Sequence, residues 1–315
     1  MRASIKAVIE HYQIRKTVAQ KRAFYRWLKM HALEHDYEIT KQTFKKGRAH
    51  NLIIGDPLTA EVIVTAHYDT PPNSFFPIAT IVGSIPMYLL SQILIFVPVV
   101  AILWLIKFVI QLLIGNLGHL SQTTIFLWFE VPLFVPVLLI AWCLQMMFGV
   151  ANKKNMNDNT SGISVLLSLL EDLPCDQREK VCFVFFDEEE KGLEGAKVFK
   201  SQYGTDIQDK PLINFDCVGH GKKIVFIVKK RFKNSQHHDV LVNVTSDKAL
   251  IKDAMKYVYA SDQLLFKNSV GVAAVDRIPL VGFYLSRLHS RFDTKFSHRN
   301  IEALNQMMTA FITQL

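Results

Sequence analysis

Carboxylate and imidazole side chains follow several short apolar runs of this 315-residue chain, at the points where predicted strands end. The carboxyl ends of parallel strands meet at one edge of a sheet, so side chains from distant parts of the chain can converge there. Several carboxylates at one edge would repel one another unless divalent cations neutralised them. Histidine and carboxylate ligands without cysteine suit Zn²⁺, with Mn²⁺ or Co²⁺ as alternatives. The candidate residues are His67, Asp69, Asp158, Glu189, Glu190, Asp216 and His289.

Each of these signals is weak when it is considered alone. The pair His67 and Asp69 forms a short pattern that occurs by chance in many proteins. An acidic run such as 187–190 is typical of a solvated helix start, where the helix dipole favours negative charge. The joint occurrence of all these residues, each near a strand end, is what indicates a metal site.

Five motifs, in this order, resemble the co-catalytic di-zinc aminopeptidases of metallopeptidase family twenty-eight, which also contains glutamate carboxypeptidase-like enzymes and glutaminyl cyclases. The motifs are AHYDT, NDNTSG, FFDEEEKGLEGA, INFDCVG and LHSRFDT. The resemblance covers residues 50–76 and 151–315. A further match is SDQLLF at 261–266, where Gln263 replaces the histidine that the family often has.

The resemblance implies a metal-binding role for five of the candidate residues. One zinc would be held by His67, Asp158 and Asp216. The second zinc would be held by Asp158, Glu190 and His289, so that Asp158 bridges the two ions. His298 is the alternative to His289 as the last ligand, although the pattern HSxxDT favours His289.

Two further residues would act without binding the metals. Asp69 would orient the ring of His67, as carboxylates commonly do for metal-bound histidines. Glu189 would be the general base and acid, taking the proton of a water that bridges the zinc ions and passing it to the leaving amine. The acidic run also permits a register shifted by one residue, but the pattern EExGLxG favours Glu189 and Glu190 in these roles.

A hydrophobic block separates His67 from the other candidate ligands. Residues 77–106 hold no charged side chain, and the apolar character continues to residue 114. A polar break at 115–124 precedes a second apolar stretch at 125–150. About 20 apolar residues suffice to cross a bilayer, so the block predicts a transmembrane helical hairpin. The alternative is a buried helical hairpin in a soluble core.

The remaining sequence alternates predicted strands and helices, which is typical of an α/β fold. We expect a three-layer sandwich with a mixed, mostly parallel central sheet, interrupted by the transmembrane hairpin. The zinc peptidase domain would comprise residues 1–76 and 151–315, and residues 77–150 would be the inserted membrane segment. Two neighbouring strands are predicted at 51–55 and 61–66, separated by a turn at Asp56 and Pro57. Further strands are predicted at 181–186, 212–218, 224–228 and 278–285, and helices at 163–173, 246–260 and 299–315.

The net charge of +8 belongs to a basic leader at residues 1–48, which holds 12 Lys and Arg but four Asp and Glu. Residues 1–35 within it show helical spacing. The basic face of this helix would either be solvated or lie on anionic lipid headgroups. Its charged residues are Lys6, Arg15, Lys16, Lys21, Arg22 and Arg26.

The position of the hydrophobic block predicts a membrane topology. Ligands on both sides of the block must meet at one site, so the chain must cross the bilayer an even number of times, most simply twice. Lys and Arg flank the block at the leader and at 153–154, whereas the connecting loop 115–124 has neither. The positive-inside rule therefore predicts a cytoplasmic catalytic domain.

These observations together predict a membrane-anchored zinc metallopeptidase that removes N-terminal residues from peptides, with a peptide substrate and the lipid bilayer as its partners. One alternative is a glutaminyl-cyclase-like acyltransferase with a single zinc. Another is a catalytically silent membrane scaffold on a peptidase fold. Four cysteines in 315 residues exclude a disulfide-stapled mini-protein, and 50% hydrophobic residues exclude general disorder. No motif supports nucleic-acid binding.

Overall fold

The computed structural model describes residues 1–74, 76–115, 137, 139–245, 247 and 249–315, with the backbone alone at 107, 110, 111, 114 and 115. Helices and strands alternate along most of the chain. The helices are α1 (Ala3–His11), α2 (Val18–Glu34), α3 (Ile85–Gly115), α4 (Leu139–Phe148), α5 (Gly162–Asp172), α6 (Glu194–Tyr203), α7 (Lys230–Lys233), α8 (Gln236–Val244) and α9 (His298–Thr313). The strands are β1 (Ile39–Phe44), β2 (Ala49–Ile54), β3 (Val62–His67), β4 (Ile78–Val82), β5 (Val181–Phe186), β6 (Leu212–Phe215), β7 (Lys223–Val228), β8 (Ala249–Asp253), β9 (Ser269–Ile278) and β10 (Gly282–Leu288).

The strands of the described residues form one mixed sheet in the order β1-β2-β5-β3-β6-β9-β10-β4, with β7 pairing with both β8 and β9. The α/β class with a central mixed sheet is thus confirmed. Four strand pairs are parallel and five are antiparallel. The expectation of a mostly parallel sheet was therefore wrong, because β1, β2, β4, β7 and β10 add antiparallel pairs around the parallel centre β5-β3-β6-β9.

The central strands are buried on both faces. In β5, Phe183 and Phe185 contact the apolar cluster under α2, α5 and α9, whereas Val184 and Phe186 contact the cluster under α6. Continuous apolar sequence is typical of strands covered by helices on both sides. The sheet is therefore held between two helical layers, and its central strands end at a common edge.

The leader forms two helices rather than the single predicted one. A capping box begins α2, in which the Thr17 hydroxyl accepts a hydrogen bond from the Gln20 N–H and the Gln20 side chain accepts one from the Thr17 N–H. This motif starts a new helix at residue 18 because it satisfies backbone donors that would otherwise lack partners. The intervening segment 12–17 can then turn Arg15 inward.

Three other local predictions were wrong. The runs at 51–55 and 61–66 are not paired with each other, because β5 lies between β2 and β3. The run 278–285 is not one strand, since Pro279 cannot donate a backbone hydrogen bond and the chain turns between β9 and β10. The predicted helix at 246–260 contains the strand β8 instead, and the helix lies earlier, in α8.

The hydrophobic block begins with an edge strand and continues as a long helix. β4 pairs with β10, and α3 then runs for 31 residues, or about 46 Å at 1.5 Å per residue. Within the described chain, one helical segment, Ile85–Ile106, is long and apolar enough to cross a membrane, and almost none of it is buried.

The second predicted crossing is not supported by the described residues. Residues 116–136 and 138, which include nearly all of the polar break and half of the second apolar stretch, lie outside them. The described end of that stretch is the shorter apolar helix α4. Trp142 of α4 packs edge-on against Phe96 of α3, with ring centroids 5.1 Å apart. The two crossings and the cytoplasmic orientation therefore stay predictions.

We expect Glu171→Gln to weaken the attachment of the leader to α5. Glu171 accepts a hydrogen bond from Arg2 at 3.2 Å and lies 3.0 Å from His31 Nε2. Burial would raise the pKa of Glu171, but His31, Ser4 and Arg2 lower it from 4.5 to about 2. The carboxylate therefore contributes stability that is complete above pH 4.5 and is lost as the pH falls toward 2.

Urea unfolding at several pH values would measure this contribution. The substitution should lower the free energy of unfolding by roughly 1–3 kcal/mol at pH 7, with a smaller difference below pH 4.5. Glu34→Gln, at a 70% exposed side chain on α2, is the control. A difference that stayed constant between pH 7 and pH 3 would contradict this assignment.

Candidate metal centre

Three adjacent parallel strands bring candidate residues to one edge of the sheet. β3 pairs with β5 on one side and with β6 on the other, in parallel. β3 ends at His67, β5 ends just before the acidic run 187–190, and β6 ends just before Asp216. The predicted convergence at a strand edge is therefore seen for these side chains.

Asp158 lies between two histidines that come from opposite ends of the chain. One carboxylate oxygen, Oδ1, is 3.2 Å from His67 Nε2, and the other, Oδ2, is 3.1 Å from His289 Nε2. Backbone N–H groups of Asn157 and Asp158 donate to the two oxygens of Asp293, which holds this loop in place. The two oxygens of Asp158 are thus directed to two different ligand groups.

Each histidine also faces a second carboxylate. His67 Nε2 is 3.5 Å from Asp216 Oδ1, and His289 Nε2 is 3.3 Å from Glu190 Oε2. The donor atoms of His67, Asp158 and Asp216 lie within 4.8 Å of one another, and so do those of Asp158, Glu190 and His289. The structure therefore brings together both predicted trios, which share Asp158.

Several polar atoms of this cluster are buried without a hydrogen-bond partner among the described residues. They include Asp216 Oδ1 and Glu190 Oε1. Buried polar atoms are normally satisfied, and unpaired oxygens next to imidazole nitrogens suit a divalent cation. The donor set thus fits zinc at both trios.

The electrostatics of the cluster reflect its crowded charges. Burial raises the pKa of Glu189 well above its usual value, and repulsion from Glu190 and Asp262 raises it further, although His67 opposes the shift. Burial would also raise the pKa of Asp158, but its contacts with His289 and His67 lower it well below the usual range. The pKa values of neighbouring carboxyl groups are therefore shifted in opposite directions, which is typical of functional sites.

Asp69 contacts both the histidine and the acidic run. Its Oδ1 is 3.5 Å from His67 Nδ1. The same carboxylate accepts hydrogen bonds from the backbone N–H groups of Glu189, at 3.0 Å, and Glu190, at 3.3 Å. Asp69 therefore fixes the acidic run relative to His67, a role that the sequence alone did not indicate.

Lys21 pairs with the first two carboxylates of the acidic run 187–190 and so separates them from the last two. Its Nζ lies 2.5 Å from Asp187 and 2.6 Å from Glu188, and the lysine side chain is 6% exposed. Lys45 and Lys191 also pair with Glu188. The first two carboxylates of the run are thus neutralised away from the centre. This leaves the third and fourth, Glu189 and Glu190, directed to the site in the predicted register.

Two leader residues that were predicted on a solvated basic face are buried. Besides Lys21, Arg15 is fully buried, and its guanidinium donates to the carbonyls of Tyr68 at 2.5 Å and Tyr12 at 2.6 Å. Burial lowers the pKa of Arg15 to about 10. The face was misassigned because the acceptors that bury these cations lie far away in sequence.

We expect Lys21→Met to destabilise the fold and distort the acidic run. Removing one partner of a buried ion pair costs about 3–5 kcal/mol, because it leaves a charge without compensation. Burial already raises the pKa of Asp187 to about 6. Lys21 opposes that shift, so Asp187 takes up its proton at a higher pH in the variant, and the deficit should shrink as the pH falls from above 6 toward 6.

Urea unfolding from pH 5 to pH 8 is the measurement. Asp187→Asn in the Lys21→Met background should restore part of the lost free energy, whereas Lys29→Met, at an exposed position of α2, should change little. A deficit that persisted unchanged in the double variant would show that the ion pair is not its cause.

Three buried residues around the site were not predicted as functional. Asp293 lies in the recognised motif LHSRFDT but was given no role. The Tyr259 hydroxyl donates to the carbonyl of Asp216 at 2.9 Å. Asp262 is fully buried, and neither carboxylate oxygen has a hydrogen-bond partner in the described part of the chain. The motif SDQLLF was the only signal for Asp262, and burial could not be read from it.

Other polar candidates lie outside the cluster. His298 is exposed at the start of α9, so His289 is the histidine that joins the trio. Gln263 is buried below the site, where its Oε1 accepts a hydrogen bond from Asn214 and its Nε2 donates to the Tyr259 carbonyl. Its amide thus takes part in packing under β6 and β9.

A cavity of about 340 Å³ opens over this cluster. Its lining includes Asp158, Glu189, Glu190, Asp216 and His289. Residues of β4, α3, α4 and β10, most of them apolar, line it as well. The charged cluster therefore shares its cavity with apolar residues, some of them from the hydrophobic block.

The chain is similar to known proteins in sequence and in fold. The model of peptidase family M28 matches residues 147–312. No relative is found among curated proteins. Solved structures share the fold at low identity, among them the following three. A Zn-dependent exopeptidase from Parabacteroides distasonis is 14% identical, with a TM-score of 0.56, over 98% of this chain and 95% of the other.

The other two structures are those of a cyclase and of an aminopeptidase. A glutaminyl cyclase from Bacteroides thetaiotaomicron is 14% identical, with a TM-score of 0.56, over 99% of this chain and 95% of the other. The LapA aminopeptidase of Legionella pneumophila is 13% identical, with a TM-score of 0.53, over 99% of this chain and 69% of the other. At these identities the likeness shows a shared fold.

Proposed function

We propose that this chain, which belongs to peptidase family M28, is a zinc-dependent aminopeptidase with two metal ions. The observation that carries the proposal is the position of Asp158, whose two oxygens face His67 and His289 at 3.2 and 3.1 Å. A carboxylate placed in this way can bridge two cations. Each histidine has a further carboxylate beside it to complete a trio.

In this proposal each trio holds one zinc ion. His67, Asp158 and Asp216 would bind the first, and Asp158, Glu190 and His289 the second. Zinc bound there supplies Lewis-acid chemistry, which polarises a peptide carbonyl and makes water a better nucleophile at neutral pH. Asp69 keeps the His67 ring in place through its Nδ1 side, as the 3.5 Å separation supports.

Glu189 is proposed as the group that moves protons. It lines the cavity, and its donor atom lies within 4.8 Å of those of His67 and Glu190, but it belongs to neither trio that shares Asp158. Burial raises the pKa of Glu189, and a carboxylate with a raised pKa takes up a proton more readily. Glu189 can therefore accept the proton of the attacking water and deliver it to the leaving amine.

The shape of the cavity favours removal of a terminal residue. At about 340 Å³ it lies at the small end of ligand-binding pockets. Residues of α3, β4 and β10 also line it, so the end of a peptide fits more readily than the middle of a long chain.

We also propose that α3 anchors the protein in a membrane. Among the side chains that the structure describes, those exposed on α3 from Leu89 to Leu113 are apolar, which would be unfavourable in water. An even number of crossings remains part of the proposal, because His67 precedes α3 and the other proposed ligands follow it. The proposed catalytic domain comprises residues 1–76 and 151–315.

Metal content and substrate range of the purified full chain test the proposed function. We expect two zinc ions per chain, hydrolysis of peptides with a free N-terminal amine, and little hydrolysis of the same peptides when acetylated. Chelation should abolish the activity and zinc should restore it. One zinc ion with ammonia release from N-terminal glutaminyl peptides would instead establish a cyclase. Absence of zinc and of both activities would indicate a silent scaffold.

A further inference from the structure

α3 builds part of the wall of the cavity that holds the acidic cluster. Tyr88, Gln92 and Ile95 line the cavity, and Met146 of α4 joins them. The spacing of 88, 92 and 95 places these residues along one stripe of the helix. Ser91 fixes the start of α3, since its hydroxyl accepts a hydrogen bond from Ile81 N–H and donates one to the Tyr88 carbonyl.

The opposite face of the same helical turns is apolar and exposed. Leu89, Ile93 and Leu94 are 53, 64 and 51% exposed. A helix that is apolar on all sides is typical of a membrane-embedded segment. Between residues 88 and 95, one helix thus contacts the catalytic cavity on one face and an apolar surrounding on the other.

Basic side chains lie near α4 and near His289 in the sequence, and both of these contribute to the lining of the cavity. Lys153 and Lys154 follow α4 and are exposed. Asn152 links this segment to the loop of His289, because its side-chain amide donates to the Ser290 carbonyl at 3.0 Å and to the Lys154 carbonyl. Arg291, two residues after His289, is exposed as well. Exposed cations at these two places complement anionic lipid headgroups.

We propose that the substrate is a peptide held in the bilayer by its own apolar segment, and that α3 receives its N-terminal residue at the membrane surface. This inference rests on the proposed peptidase function. The N-terminal residue meets the metal centre, and its side chain packs against Ile95 and Tyr88. Selectivity for an apolar N-terminal residue then comes from the anchoring helix itself.

Three peptides that share one N-terminal sequence test the first half of the inference. The first is water-soluble, the second carries an apolar segment within a few residues of its N-terminus, and the third has the same segment after about 30 Gly and Ser residues. The full chain is reconstituted in phosphatidylcholine vesicles with phosphatidylserine. The second and third peptides bind the vesicles equally, so membrane concentration alone cannot separate them.

We expect kcat/KM to be about tenfold higher for the second peptide than for the third, because the short spacer holds the N-terminus beside α3. Equal values for these two peptides would overturn the inference. The soluble peptide keeps the two proposals distinguishable, since its hydrolysis establishes the peptidase function whatever the membrane-bound peptides show.

Two variants of α3 test the second half of the inference, that α3 sets the selectivity for the N-terminal residue. Ile95→Ala should change the ratio of kcat/KM between N-terminal Leu and N-terminal Gly peptides by about tenfold, since pocket methylenes set such discrimination. Ile93→Ala, on the exposed face two residues earlier, is the matched control and should leave the ratio unchanged. An unchanged ratio in Ile95→Ala, or an equal change in both variants, would overturn the role of α3.

Discussion

Glu189→Gln should lower kcat for peptide hydrolysis by about 10²–10⁴, which is the usual contribution of a positioned general acid–base group. The amide keeps the size of the side chain but cannot accept the proton of the attacking water. Glu189 belongs to neither trio that shares Asp158, so zinc content should stay at the wild-type level. Steady-state kinetics and metal analysis of the same preparation give both results.

Glu194→Gln is the matched control for this substitution. Glu194 begins α6 five residues later and pairs with Lys197 at the surface. Its variant should hydrolyse peptides at the wild-type rate. If Glu189→Gln kept full activity, or lost activity only in proportion to lost zinc, Glu189 would not be the group that moves protons.

Asp158→Asn should have an effect at least as large, through metal binding. The substitution removes the one negative charge that both trios share, so it should lower the zinc content at both sites and reduce activity by more than about 10³. It also leaves His67 and His289 without a carboxylate contact of 3.2 and 3.1 Å. Zinc content by elemental analysis and kcat/KM are the two measurements.

Asp239→Asn controls for the general effect of losing one carboxylate. Asp239 lies on α8 with a side chain 87% exposed, and its variant should keep both zinc and activity. Circular dichroism should show that Asp158→Asn is folded. A folded Asp158→Asn variant that retained two zinc ions would contradict the bridging position of this residue.

Much of the site could be predicted because its signals are local. Short apolar strands with a polar residue at or near their end define candidates such as His67 and Asp216 without any three-dimensional information. The parallel pairing of β5, β3 and β6 then brings these residues to one edge. The resemblance to the peptidase family, confirmed by the match over residues 147–312, depends on the same local motifs.

Other features could not be predicted because they depend on partners that are distant in sequence. Lys21 and Arg15 have the helical spacing of a solvated basic face. In the fold they are buried against acceptors that are distant in sequence. Glu188 lies 167 residues from Lys21, and Tyr68 lies 53 residues from Arg15. Periodicity indicates which side chains share a face of a helix, but not whether an acceptor from another part of the chain packs against that face.

The sequence by itself determined the class of fold, the types of metal-binding residue and the position of the long apolar helix. Only the tertiary structure decided that His289 rather than His298 joins Asp158, and that α3 forms a wall of the cavity. The reason is physical. Residue type and local spacing decide what chemistry a side chain can perform, whereas burial, charge compensation and the shape of a cavity come from segments that meet only when the chain has folded.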